Sequence, residues 1–317
     1  MKKHDLLQAW AVKHNDIQVR MSSRSGGIFT ALSDRILEQN GVVYGAKLSD
    51  DCRSVQHERA TTYEERNSFR GSKYIQSRLG DTFSNVKMDL ENDKYVLFSG
   101  TPCQIGGLLG YLGKEYKKLI TLDVVCHGVS SPLVWEGYLD WLEKKYKDTV
   151  VSADFRDKRK YGWGHHMETI EFTKKVVSAN WYANIFYSHN AIRPSCFNCP
   201  YRTVERISDI SIADCWGIAK NMPQFNDNKG VSLVLINTNK GLDLFEKCQN
   251  EIESQQVNIK NYMQPALHEV DKIPKSRDDF WRIMQKKGVT SSLLRRYGGY
   301  TLKKRIRRKI DEFKERY

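Results

Sequence analysis

The chain has seven cysteines, and two of them, Cys196 and Cys199, are separated by two residues in the segment RPSCFNCPYR. Adjacent thiolates at this spacing can chelate one metal ion or one side of a cluster, and Pro194 and Pro200 stiffen the loop around them. A Cys-x-x-Cys pair has three readings: half of a structural zinc site, a redox dithiol, or half of an iron–sulfur site. The dithiol belongs at a helix start after a strand, which Pro200-Tyr201 does not predict. Spacing alone leaves zinc and iron–sulfur level. Two further cysteines, Cys103 in SGTPCQIGG and Cys126 in DVVCHGVSS, each follow a short apolar run. If both runs are buried strands, the two thiols reach one edge of a sheet and join Cys196 and Cys199 as four candidate metal ligands. The alternative is that Cys103 and Cys126 are small buried residues, as cysteine often is. Cys215, in a strand expected to be core, is a weaker candidate, and Cys52 and Cys248 read as incidental.

Three glycine-containing loops form a second group. SRSGGIFT places Ser25, Gly26 and Gly27 at a helix start, RGSKY offers Arg70, Ser72 and Lys73, and SGTP spans 99–102. Small residues at a helix start let backbone N–H groups approach an anion, which the helix dipole also favours. Together the loops predict a dinucleotide or other phosphate-bearing cofactor.

These residues need a scaffold, and the pattern predicts an α/β fold. SGGIFTALSDRILEQ (25–39) reads as a helix from the recurrence of Ile28, Leu32 and Ile36, stopped by Asn40-Gly41. GVVYGAKL follows as a strand, and a helix covers about 81–91. From there YVLFS, a helix from about Cys103 to Leu112, LITLDVVC, a helix over 132–146 and VVSADFR alternate. Thr101 suits a helix N-cap and Pro102 the first helical position. Such alternation predicts a mixed, largely parallel sheet with flanking helices, whose ligands gather at the carboxyl ends of the strands. Gly100–Cys103 and Cys126–Gly128 fall at such ends. ISDISIAD and VSLVLINT read as further strands, followed by a helix from Asn239. The organisation expected is a small N-terminal α/β lobe carrying phosphate loops (15–92), a second α/β domain bearing the four candidate cysteines and the SGTP loop (93–254) and a peripheral, basic, helical C-terminal tail (255–317).

Composition fits a globular protein: 40% hydrophobic and 28% charged residues, with no apolar stretch near the roughly 18 residues of a membrane span. The N-terminus lacks a signal-peptide core, so the expected location is cytoplasmic, where cysteines are more often metal-bound or catalytic than disulfide-paired. Of the formal net charge of +13, ten Lys/Arg against three Asp/Glu from Arg295 onward account for 7, leaving +6 for the rest. The tail reads as a solvated helical face or as a contact for an anionic surface. Without aromatic interleaving or a nucleic-acid module, nucleic acid is not expected as a partner.

In order along the chain, SGGIFTAL, NGVVYGAKL, RGSKYIQS, VLFSGTPCQIGGL, VVCHGVSSPLVW, FRDK, RPSCFNCPYR, SDISIADCWGI and GVSLVLINT resemble the coenzyme F420 hydrogenase/dehydrogenase beta-subunit family over roughly 15–245. The resemblance implies a 4Fe-4S cluster on Cys103, Cys126, Cys196 and Cys199. It also implies FAD held by Ser25, Gly26, Gly27, Arg70, Ser72, Lys73, Thr101 and Gln104, and electron transfer between the cluster and a two-electron carrier. His127 and Lys73 are the candidates to supply a proton or stabilise reduced flavin, with a hydrogen-bonded structural role as the alternative for His127. Many bacterial relatives carry an N-terminal ferredoxin-like segment, and this sequence is expected to begin after it. Electrons are therefore expected from a separate ferredoxin-like protein or a partner subunit, with a small-molecule acceptor. Cys215 stands where relatives often have an aromatic residue. The competing expectation is a non-catalytic cysteine–metal scaffold or partner-binding protein, as members occur beside surface-polysaccharide genes.

Overall fold

The computed structural model describes residues 4–301. Residues 302–317, the basic end of the expected tail, lie outside the described residues. The main sheet has eight strands: β1 Gln8–His14, β2 Val42–Leu48, β3 Val55–Ala60, β4 Val96–Gly100, β5 Leu119–Val124, β9 Ile210–Asp214, β10 Ser232–Ile236 and β11 Ile252–Gln256. Their order is β11-β1-β10-β9-β5-β4-β2-β3. The middle strands β2, β4, β5 and β9 run parallel, and antiparallel strands flank them on both sides. The boundaries drawn at 92/93 and 254/255 fall within this one sheet, the second of them inside β11.

The parallel strands are mainly apolar because both faces are covered. Leu97 of β4 and Val43 of β2 face helices α2 (Ile28–Leu37) and α10 (Asn239–Glu246), packing on Ile28, Leu32, Leu244 and Phe245. Their neighbours Val42, Tyr44, Val96 and Phe98 face the other way, against Val86 of α4 (Thr82–Glu91) and Ile105 and Leu108 of α5 (Pro102–Leu112). The short helices α1 (Ile17–Ser22) and α3 (Tyr63–Asn67) pack beside β1 and β3.

Two segments differ from the sequence reading. Gln8–His14, an apolar run broken by polar residues, is strand β1, inserted between β10 and β11, where Lys13 pairs with Glu253 at 2.7 Å. VVSADFR, expected to extend the alternating series, supplies β6 (Val150–Asp154) of a separate antiparallel sheet with β7 (Glu168–Phe172) and β8 (Val176–Ala179). The edge of β5 that β6 would need is already occupied by β9.

The small sheet packs with α6 (Pro132–Tyr146) and α8 (Trp181–Tyr187) into a second core containing Trp135, Tyr138, Leu142, Phe172 and Tyr182. Helices α11 (Arg277–Lys287) and α12 (Ser291–Tyr297) anchor the C-terminal segment by burying Phe280, Leu293 and Leu294 there. The remaining helices, α7 (Lys158–Tyr161) and α9 (Ile218–Asn221), are single turns. Among the described residues no helix is long and apolar enough to cross a membrane.

Candidate functional site

The parallel register of β4 and β5 sets Gly100 opposite Asp123, so the chain leaves both strands at one edge of the sheet. After β4, Thr101 caps α5, with its N–H donating to Gln104 Oε1 at 2.9 Å, and Pro102 takes the first helical position. This places Cys103, exposed, in the first turn, with its sulfur 3.1 Å from Thr101 Oγ1. After β5 come Cys126 and His127. A 3₁₀ turn over Pro194–Asn198 carries Cys196, and Cys199 follows it.

Backbone bonds stitch the two loops together: Arg193 N–H donates to Val129 O and Ser131 N–H to Ala191 O, each at 3.0 Å. Gly128, at φ 127°, is the junction. A Cβ there would sit 3.2 Å from Ile192 and 3.4 Å from Cys196 Cβ. Its N–H donates to Cys126 Sγ at 3.3 Å. Burial pushes the Cys126 thiol up to about 12, and the neighbouring Cys103, Cys196 and Cys199 add to the effect. Cys196 is likewise raised, first by burial and then by Cys103 and Cys199. The four thiols are thus near enough to act on one another. Among the described residues, no three His, Cys, Asp or Glu side chains converge on a single metal-ion position.

Two buried arginines, Arg202 and Arg206, hold the 194–206 loop. Arg206 donates to Tyr201 O, Thr203 O and Ser211 Oγ and pairs with Asp123 of β5 at 2.7 Å, both side chains almost fully buried. Arg202 donates to His127 O and Glu269 O and pairs with Asp271.

Beside this corner lies a cavity of about 500 Å³. Of the residues singled out in the sequence, Ser25, Gly27, Arg70, Ser72, Lys73, Thr101, Gln104, Cys126 and His127 line it. Gly27 is the N-cap of α2 at φ 91°, and Arg70 reaches across to Thr30 Oγ1 (3.0 Å) and Ser22 Oγ (3.1 Å). Gly26 does not line the cavity. It is the point where the loop crosses β1 and β10, since a Cβ would lie 2.1 Å from Val12 O and 2.6 Å from Ser232 N.

Lys73, a candidate proton donor, is held by backbone carbonyls. Its Nζ donates to Ser68 O, Phe69 O and Arg70 O at 3.2, 2.9 and 2.9 Å, so all three donors hold the loop that follows α3. Burial lowers its pKa to about 7. His127 is also lowered, by burial and then by Arg202, and its ring meets Tyr187 edge-on at 6.1 Å.

The far wall was not anticipated from the sequence. Arg24, Arg156, Asp214, Trp216, His166 and Tyr187 line it. Arg156 donates to Asp214 Oδ2 at 2.9 Å and lies 5.4 Å from the Trp216 ring, which stacks on Trp163 at 4.9 Å. FRDK and YGWGHH supply Arg156, Trp163 and His166, but neither shows that Asp214, at the end of β9, would be the partner. His57 is a further lining residue that the sequence did not mark. Its Nε2 meets Ser99 O at 3.0 Å, and burial lowers its pKa to about 4.

Fold and site define an α/β protein with a four-thiol corner at the carboxyl edge of a mixed sheet, beside a cavity of cofactor size. The chain belongs to the coenzyme F420 hydrogenase/dehydrogenase beta-subunit family: residues 93–261, just over half of its 317, match the family model for the C-terminal part of that beta subunit. It is therefore an oxidoreductase of the hydrogenase/dehydrogenase beta-subunit type. Its fold is similar to that of a chain in the xenon-derivatised F420-reducing NiFe hydrogenase complex from Methanosarcina barkeri, with TM-score 0.55 and 17% identity, over 80% of this chain and 83% of that one. At that identity the likeness is one of fold. No curated protein matches the sequence.

Proposed function

We propose that this protein is an iron–sulfur flavoprotein oxidoreductase, with a 4Fe-4S cluster on Cys103, Cys126, Cys196 and Cys199 and FAD in the adjoining cavity. The observation that carries the reading is the position of Cys126, which belongs to the thiol corner and also lines the cavity. The donor set suits a cluster: two loops and the first turn of α5 bring four thiols near one another, all of them cysteine sulfur. When bound, a cluster moves single electrons and a flavin accepts one or two, so the pair converts single electrons into a hydride or the reverse.

The chain's residues have separable tasks in this scheme. Gly128 N–H and the guanidinium of Arg202 lie near the sulfurs and offset negative charge. The start of α2, with Gly27 and Arg70, offers N–H groups and positive charge to a phosphate. Ser72, Thr101 and Gln104 line the same cavity. His127, kept neutral by burial, stands between the two regions and is the residue placed to give or take a proton. Exposed Cys103 marks the side on which a ferredoxin-like protein or partner subunit would exchange electrons, while a small-molecule acceptor enters the cavity.

Anaerobic stopped-flow reduction tests this scheme. Reduced ferredoxin should reduce the bound flavin in the native chain. The Cys126→Ser variant should keep its flavin but lose rapid reduction. Equal rates in the two proteins would contradict the reading.

A further inference from the structure

The far wall of the cavity carries an imbalance of charge that the scheme above does not use. The side chains of Arg24 and Arg156 are 8% and 4% exposed, and both are directed to one carboxylate oxygen, Asp214 Oδ2, at 3.8 and 2.9 Å. The other oxygen of Asp214 accepts from Trp163 Nε1 at 2.9 Å. Arg24 spends one further N–H on Trp163 O at 2.8 Å, and Arg156 reaches Tyr74 Oη at 3.3 Å. That leaves Arg24 Nε and Nη1 and Arg156 Nε and Nη2 buried without a hydrogen-bond partner. Lys158, next to them, donates its Nζ to the carbonyls of Ser25 and Lys229, and burial together with Arg24 lowers its pKa to about 7.

Buried cations in excess of their carboxylates, with several N–H groups unused, are costly unless something else pairs with them. Unsatisfied buried donors of this kind point to a missing partner. The guanidinium fork matches the two oxygens of a phosphate or carboxylate. Both arginines line the cavity, with Trp216 beside Arg156 as an aromatic wall.

We infer that Arg24 and Arg156 form a seat for an oxyanion, phosphate or carboxylate, carried by the molecule that fills the cavity. The inference deepens the function proposed above by locating the anionic end of a ligand. It rests on the cavity being a ligand site, and it stands whether or not that ligand is a flavin. Two sources fit the chemistry: a phosphate of the cofactor, or an acid group of the second reactant.

The test is calorimetric titration of the flavin-free full chain with inorganic phosphate, alongside fluorescence titrations with FAD and with riboflavin, which has no phosphate. Arg24→Gln and Arg156→Gln should each weaken phosphate binding about tenfold or more, the loss of one charge-assisted bond. Asp214→Asn should tighten it, because the competing carboxylate is gone. That opposite sign keeps the test decisive if an arginine variant fails to fold. Weaker FAD binding with unchanged riboflavin binding in Arg156→Gln assigns the seat to the cofactor. Unchanged binding of both flavins, with phosphate binding lost, assigns it to the second reactant. If phosphate binds through the arginines but neither flavin binds, the flavin reading falls and the seat stands. If phosphate fails to bind the native chain, or binds all three variants as it does the native chain, the seat is overturned.

Discussion

The thiol corner and the cavity adjoin at Cys126 but are built in opposite ways. The corner is assembled from two loops and the first turn of α5. Its cysteines are half-buried or, at Cys103, exposed, and its shape depends on hydrogen bonds from Arg202 and Arg206 to backbone carbonyls. The cavity is framed by regular elements: the ends of β4, β5 and β9 and the start of α2, the last seated so closely on β1 and β10 that Gly26 has no room for a methyl group. On the function proposed here, this difference separates two jobs. A one-electron site at the surface needs contact with a partner and a fixed set of ligands. A hydride-transferring site needs walls that exclude water and hold a large ligand still.

The contrast can be broken from either side. The largest effect expected is from Cys196→Ser, which should remove most of the iron and the visible cluster absorbance while flavin binding survives, as read by metal analysis and flavin titration. Next is Arg206→Met, which leaves Asp123 buried without its partner. It should cost about 3–5 kcal/mol in denaturant unfolding, as for other broken buried pairs. Gly26→Ala acts on the other region. Its methyl group would meet backbone atoms of β1 and β10, so stability should fall by about 1–3 kcal/mol and flavin affinity should fall with it, with iron content unchanged.

The last effect is a pH slope. Burial lowers Lys73 from its ordinary 10.5 to about 7. Between those values the unfolded chain binds the extra proton, so stability rises with pH from about 7 to 10.5 and this contribution is flat below 7. Lys73→Met should flatten that rise in pH-dependent unfolding curves.

The two regions also differ in how far the sequence revealed them. Cys103 and Cys126 could be placed at one sheet edge because VLFSG and LITLDV are short apolar runs ending in chain-breaking residues, and parallel strands buried on both faces have that signature. Thr101-Pro102 marked the start of α5 for local reasons of the same kind. The cationic wall gave no such signal. Arg24, Arg156 and Asp214 lie in three segments far apart in the chain, two of them loops, and each alone resembles an ordinary charged residue. Strand β1 was hidden because Gln8, Lys13 and His14 interrupt its apolar run, and its polar positions are accommodated only once β11 pairs with it. The sheet partner of β6 was equally invisible, because local pattern does not determine which edge of β5 is already filled.

The central claim is that the four cysteines hold a cluster beside a flavin. The most direct measurement is iron, sulfide, zinc and flavin analysis of the full chain purified without oxygen, together with its absorbance spectrum. The expected result is a brown protein with about four iron and about four sulfide per chain, and flavin bands that disappear when the flavin is removed. A colourless protein with stoichiometric zinc and no flavin would contradict it.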